Sequence, residues 1–244
     1  MSIYKTCGII LKRSNFGEAD RLLTIFTEGK GKIKVIAKGV RKQNSRLGGH
    51  LELFCLTNLV IAEGRNLDIV TEAEIIESYI NVRNNLEKAN ATYYLAEIVD
   101  KLTAEYESHD DVFNLLKITI DRINENKKNL SLPYFEINLL KSIGYEPELG
   151  KCLKCQKAPE PKDNSFDLAE GGLVCGNCGG FAEKISDEAV KILRLFLSAE
   201  ISILDRLKLG ASLVEEIEST TKNYIRYIHQ DEFKSSRFLK DWKL

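Results

Sequence analysis

The chain is poor in the residues that usually do chemistry and in those that end structure. Among its 244 residues there are three histidines, four prolines, one methionine and one tryptophan. The histidines are scattered. His50 falls in a Gly-rich turn, His109 beside two aspartates, and His229 at a helix end where its charge suits the dipole. An ordinary surface role is expected for each. Nucleotide motifs are missing too. Gly29-Lys30 and Gly31-Lys32 lack the upstream Gly and the following Ser or Thr of a P-loop. No G-x-G-x-x-G opens a helix after a strand, and there is no G-x-S-x-G. The expectation is a binding protein, not an enzyme. Long apolar runs are also lacking. The longest, roughly Leu53–Ala62, contains Thr57 and Asn58 and is too short to span a bilayer. Met1–Leu11 has no basic start, apolar region or cleavage site of a signal peptide. A soluble, cytoplasmic protein without membrane contact is expected.

What is present is an uneven charge. The net formal charge is −1, yet residues 1–50 hold eleven bases and three acids, a local excess of eight, which leaves −9 for the remainder. A basic module joined to an acidic body points to an anionic partner for the first part. Within it, Gly29–Leu47 is the densest stretch. Lys32, Lys34 and Lys38 alternate with Ile33, Val35 and Ala37 as on a half-buried strand. A loop carrying Arg41, Lys42 and Arg46 follows. The lysine face reads either as a phosphate-following surface or as a solvated strand edge protected against aggregation. Tyr4, Phe16 and Phe26 are the nearby aromatics, and each reads more readily as core than as a stacking platform.

The first part of the chain reads as β. Strands are expected over Tyr4–Leu11, Asp20–Thr27, Lys30–Lys38, Leu51–Ala62 and Leu67–Ala73, separated by Gly-containing turns. Five short strands suggest a small barrel or sandwich, with the OB-fold the obvious candidate. From Asn85 the period becomes helical. Ala89, Tyr93 and Ala96 share one stripe. Asp110 is a candidate cap for the next helix, and Ser131 with Pro133 starts a third. Ser186 begins a fourth, and Ser212-Leu213-Val214-Glu215 reads as a capping box for a fifth.

Between the third and fourth helices, Pro147–Phe181 gathers three of the four prolines, six glycines and four cysteines. Cys152-x-x-Cys155 and Cys175-x-x-Cys178 stand nineteen residues apart, a spacing that fits four-thiolate zinc sites. Two residues between thiols let one tight turn aim both sulfurs at one ion, and Gly176, Gly179 and Gly180 permit the second turn. A redox pair or unbonded cysteines would not account for two such pairs. One structural Zn2+ on Cys152, Cys155, Cys175 and Cys178 is expected, because four thiolates leave no open position for catalysis. Cys7 and Cys55, in apolar strand patterns, read as core.

Several blocks in this order resemble a known family. Gly17-Glu18-Ala19-Asp20-Arg21-Leu22, Phe26-Thr27-Glu28-Gly29-Lys30-Gly31-Lys32 and Ala37-Lys38-Gly39-Val40-Arg41-Lys42 look like the N-terminal domain of the bacterial RecO family. Phe135-Glu136, Leu139-Leu140, Gly144-Tyr145-Glu146-Pro147, Gly171-Gly172-Leu173-Val174-Cys175 and Lys234-Ser235 continue the likeness along nearly the whole chain. The resemblance implies an α+β multidomain protein: an OB-fold over residues 1–80, then a helical domain over 81–244 with a zinc-binding insertion at about 148–182. It implies a recombination mediator in DNA repair that binds single- and double-stranded DNA and anneals complementary strands. With RecR, such a protein helps load RecA onto strands coated by single-stranded-DNA-binding protein (SSB), whose acidic C-terminal tail it contacts through the helical domain. Nucleoid association during repair follows from that role.

The residues proposed for DNA contact are Arg13, Arg21, Lys30, Lys32, Lys34, Lys38, Arg41, Lys42 and Arg46, gathered on one surface of the barrel. If roughly six neutralise phosphates, single-strand affinity falls with a log–log salt slope of about −4. Little sequence preference is expected, because backbone contacts read none. A zinc-ribbon and OB scaffold that joins RNA or transcription machinery is the alternative at this stage.

Overall fold

The structure is a computed structural model that describes residues 2–127, 130–179 and 183–241. Five strands, β1 (Ile3–Phe16), β2 (Asp20–Thr27), β3 (Gly31–Ala37), β4 (Leu56–Ala62) and β5 (Asp68–Glu77), close into a barrel with neighbour order β1-β2-β3-β5-β4. β1 is the strand that closes it. Its first half pairs with β4, from Ile3↔Ala62 to Ile9↔Leu56, and its second half with β2 out to Phe16↔Asp20. A register shift between Ile10 and Lys12 bends it. At Gly8, in the overlap, an added Cβ would lie 2.6 Å from Ile25, so only glycine lets β1 come this near β2. Within the barrel the strands pair antiparallel except where Val35↔Asp68 and Ile36↔Ile69 join β3 to β5 in parallel. This is the expected OB-type barrel. Ile10, Leu23, Ile25, Ile33, Val35 and Ile61 fill its interior, by the alternation read in the sequence.

Three helices pack in the same compact unit: α1 (Ile80–Arg83), α2 (Leu86–Leu102) and α3 (Asp110–Asn124). The 3-10 segment Lys234–Asp241 also belongs to it. Asn85 caps α2, its side chain accepting the Lys88 N–H at 3.0 Å. Phe26 of the barrel meets Phe113 of α3 at 6.5 Å, and Tyr94 of α2 meets Phe233 edge-on at 6.0 Å. The change from strand to helix lies near residue 80, whereas the compact unit comprises Met1–Glu125 with Phe233–Lys243.

The second unit, Asn126–Glu232, holds α4 (Ser131–Ser142), α5 (Asp187–Ser198) and α6 (Ala211–His229). Between α4 and α5 lies a small antiparallel sheet of β6 (Ser165–Asp167), β7 (Gly172–Val174) and β8 (Glu183–Lys184), ordered β7-β6-β8. The insertion is thus carried by helices of one unit. Tyr134 and Phe196 join α4 to α5 at 5.5 Å, and Phe166 packs edge-on to Tyr224 of α6 at 5.3 Å.

Several local expectations are corrected. β1 runs five residues beyond Leu11, and β4 begins at Leu56, because Leu51–Phe54 turns, with Phe54 at φ 67°. Asp110 does not cap α3. It accepts instead from the Gly29 N–H at 2.7 Å. Ser131 lies inside α4, its hydroxyl donating to the Lys127 carbonyl at 2.9 Å. α6 starts after Gly210, so Ser212 sits past the cap and no capping box forms. Ser186 does cap α5, accepting from Ala189 at 3.2 Å. Tyr93 leaves the buried stripe of α2 and faces water, while Tyr94 beside it is fully buried.

Candidate metal centre and nucleic-acid interface

The four paired cysteines come together. Their sulfurs all lie within 4.8 Å of one another, and Cys155 and Cys175 are 3.9 Å apart. A tetrahedral ion with Zn–S bonds of about 2.3 Å needs sulfurs about 3.8 Å apart, so the cluster can hold such a metal. The turns that build it are local. The Gln156 N–H closes the first on the Cys152 carbonyl at 2.8 Å, and the Cys178 N–H closes the second on the Cys175 carbonyl at 2.9 Å. Gly180 lies outside the described residues.

Cys152 is buried. Burial disfavours its thiolate, but N–H groups of Cys155, Cys175 and Lys154 more than compensate and hold its pKa down to about 6. Cys178 is pushed up to about 12, because Cys175 and Cys155 share hydrogen bonds with its thiol. Four thiols this close cannot all ionise without a cation among them, so metal binding here releases protons.

The cationic residues of the barrel divide. At the β2–β3 end they meet acids. Lys32 is only 6% exposed, which corrects the expectation that it stands on an open face with Lys34 and Lys38. It pairs with Asp100 of α2 at 3.5 Å and donates to the Asp100 carbonyl. Lys34 pairs with Glu105, which holds the Lys34 ammonium above its ordinary pKa. The segment between α2 and α3 is laid along β3, its Tyr106 N–H donating to the Lys32 carbonyl at 2.9 Å. Gly31 makes this approach possible. It has φ +64°, and a Cβ there would sit 1.7 Å from the Glu107 carbonyl oxygen. Lys30, exposed in the turn, stands 4.3 Å over the Tyr4 ring, whose hydroxyl donates to Asp68 at 2.9 Å.

At the other end, the β1–β2 turn and the loop after β3 are tied together. The Arg41 N–H donates to Ala19 at 2.9 Å, its guanidinium to Glu18 at 3.1 Å, and the Gly39 N–H to Asp20 at 2.7 Å. Lys38, Lys42 and Arg46 stand exposed on this loop, and among the described residues none has an ion-pair partner. Phe16 at the turn is 51% exposed, so it is no core residue. Phe26 is fully buried. Arg13 and Arg21 flank the loop and share Glu52, with Arg21 at 3.2 Å. Burial works against the Glu52 carboxylate, but the two guanidiniums hold its pKa below the usual range. The nine proposed contacts therefore do not form one surface. Lys38, Arg41, Lys42 and Arg46 share the loop after β3, Arg13 and Arg21 share Glu52, and Lys32 and Lys34 pair with Asp100 and Glu105.

Among the described residues no helix is long and apolar enough to cross a membrane. His50, half-buried, accepts the Ile75 N–H on Nδ1 at 3.3 Å.

Comparison with known proteins adds the following. The family described as "Recombination protein O N terminal" matches residues 1–79, and "Recombination protein O C terminal" matches residues 83–237. A protein of Dehalococcoides mccartyi (strain CBDB1) named "DNA repair protein RecO" is 35% identical over 244 residues, covering 99% of this chain and 96% of its own. A protein of Roseiflexus sp. (strain RS-1) with that name is 38% identical over 98% of this chain and 86% of its own. One from Desulforamulus reducens is 30% identical, over 98% and 94%.

Proposed function

The chain belongs to the RecO family of DNA repair and recombination proteins, and from that premise we propose that it is a non-enzymatic mediator in the bacterial cytoplasm that holds DNA by its backbone and anneals complementary strands. With RecR, it would help load RecA onto SSB-coated single strands. The observation that carries the reading is the loop cluster of Lys38, Arg41, Lys42 and Arg46 on an OB-type barrel. Such a surface grips phosphates without reading bases. Annealing needs both strands held with their bases free, and backbone contacts leave them free. Four phosphate contacts give a salt slope of about −3 on single strands, shallower than six would give.

One Zn2+ on Cys152, Cys155, Cys175 and Cys178 would cross-link an insertion whose three strands span three, three and two residues, too little to be stable by burial. Chelation should release one zinc per chain and loosen the insertion first, with Cys152→Ser abolishing uptake.

The functional test is annealing of complementary oligonucleotides coated with SSB, at two salt concentrations, with and without RecR. Faster annealing that weakens with salt is the expected result. Binding only to a protein partner or a structured RNA, with no annealing, would favour the scaffold reading.

A further inference from the structure

The barrel unit has a second surface that the loop cluster does not use. β1, α2 and the segment Lys234–Asp241 border an open groove of about 990 Å³, at the upper end of the roughly 300–1,000 Å³ of small-ligand clefts. Its floor includes Leu53, Leu86, Tyr93 and Phe238. Three of these are turned to water, Tyr93 45%, Phe238 61% and Leu86 77% exposed. Large apolar groups gathered in an open groove mark a binding site more often than a bare surface. The Tyr93 ring is fixed edge-on against Phe54, centroids 4.8 Å apart, so one face is presented in a set orientation.

Cations outnumber acids around that floor. Lys12, Lys101 and Lys234 stand on the rim. The two acids in the wall are committed inward. Glu97 accepts the N–H groups of Lys234 at 3.0 Å and Ser235 at 2.7 Å. Asp100 is paired with Lys32. Arg13 also lines the groove and reaches Arg21 through Glu52. Arg21 stands opposite Ala37 at the end of β3, one residue before Lys38, so the groove leads toward the loop cluster.

We propose that this groove is a single-strand subsite in which unpaired bases stack on Tyr93 and Phe238 while Lys12, Lys101 and Lys234 take the phosphates. It rests on the DNA-binding reading of the loop cluster and extends the path of the same strand. Rings accept the face of any base, and flanking ammonium groups follow the backbone. A duplex keeps its bases stacked on one another and gains nothing from Tyr93, so the subsite discriminates single from double strands. An acidic peptide with apolar side chains meets the same rim and floor. A groove that leads toward a phosphate-suited surface favours the strand.

The test uses the full-length protein and oligothymidylates of about 8 and about 24 nucleotides, lengths bracketing one site of the usual size. Tyr93→Ala should weaken the longer oligonucleotide about tenfold and leave the shorter unchanged, and Tyr93→Phe should restore it. Lys12→Glu with Lys101→Glu, both at exposed positions, should flatten the longer one's salt slope from about −5 toward −3. Photo-cross-linking with iododeoxyuridine should give adducts on Tyr93 or Phe238. Unchanged binding of both lengths by these variants, or equal loss for both, overturns the subsite. If Lys38→Glu with Lys42→Glu then abolishes binding, the loop-cluster reading stands without it. Failure of the unsubstituted protein to bind either length overturns both. Competition by an acidic, aromatic-containing peptide, with no adduct at Tyr93, assigns the groove to a protein partner and overturns the proposal.

Discussion

The two ends of the barrel use their bases oppositely. At the β2–β3 end, Lys32 and Lys34 are taken up by Asp100 and Glu105, on a segment that Gly31 allows to lie against β3. At the other end, Lys38, Lys42 and Arg46 remain open on a loop held by backbone bonds to the β1–β2 turn. The difference teaches that a count of charge is not a count of available charge. The first set holds the helices to the barrel. The second is free to hold a ligand.

The comparison breaks most severely at Gly31. Gly31→Ala puts a methyl group into the Glu107 carbonyl and forces an unfavourable φ, so unfolding by denaturant should show a loss of about 3 kcal/mol or more. Next is Lys32→Met. It leaves the Asp100 carboxylate and carbonyl without their partner and should cost about 1–3 kcal/mol, while affinity for short single strands stays unchanged. A loss of affinity larger than the loss of stability would put Lys32 among the DNA contacts after all.

Glu52 sharpens the open end. Its pKa is depressed in the folded protein, so its contribution is complete above the ordinary glutamate pKa and is lost as pH falls through the folded value. Glu52→Gln should lower stability by about 1 kcal/mol at neutral pH and flatten the acid limb of a stability–pH profile. It should also free Arg13 and Arg21 and so raise single-strand affinity. The smallest effect belongs to Lys34→Ala, which removes a pair whose two side chains are 46% and 39% exposed. It should change thermal stability by about 0.5 kcal/mol or less.

The reason one half of this was legible in the sequence and the other was not lies in distance along the chain. The cysteine cluster is encoded by two short turns, so its spacing alone predicted four converging sulfurs. The barrel was legible in the alternation of Ile33, Val35 and Ala37 and in the placing of the glycine turns. Alternation says which way Lys32 points, but not what will cover it. Its partner Asp100 is sixty-eight positions away, and nothing local links them. At Asp110 the expected cap has the same origin, since a tertiary contact claims its side chain; at Ser212 the helix opens two residues earlier, after Gly210. The groove is not legible because the stripe of Ala89, Tyr93 and Ala96 is widened by Tyr94, Leu95, Ile98, Val99 and Leu102, a pattern that reads as a helix packed on more than one side and so leaves no residue marked as open.

The central claim, that the open loop and not the lysines of the β2–β3 end holds nucleic acid, is tested most directly by two sets of charge reversals read against salt. The measurement is affinity for a short oligothymidylate across a salt series in Lys38→Glu/Lys42→Glu/Arg46→Glu and in Lys30→Glu/Lys34→Glu. The first should flatten the slope from about −3 to about −1, and the second should leave it where it was. An unchanged slope in the first set, or a loss in the second as large as in the first, would contradict the account.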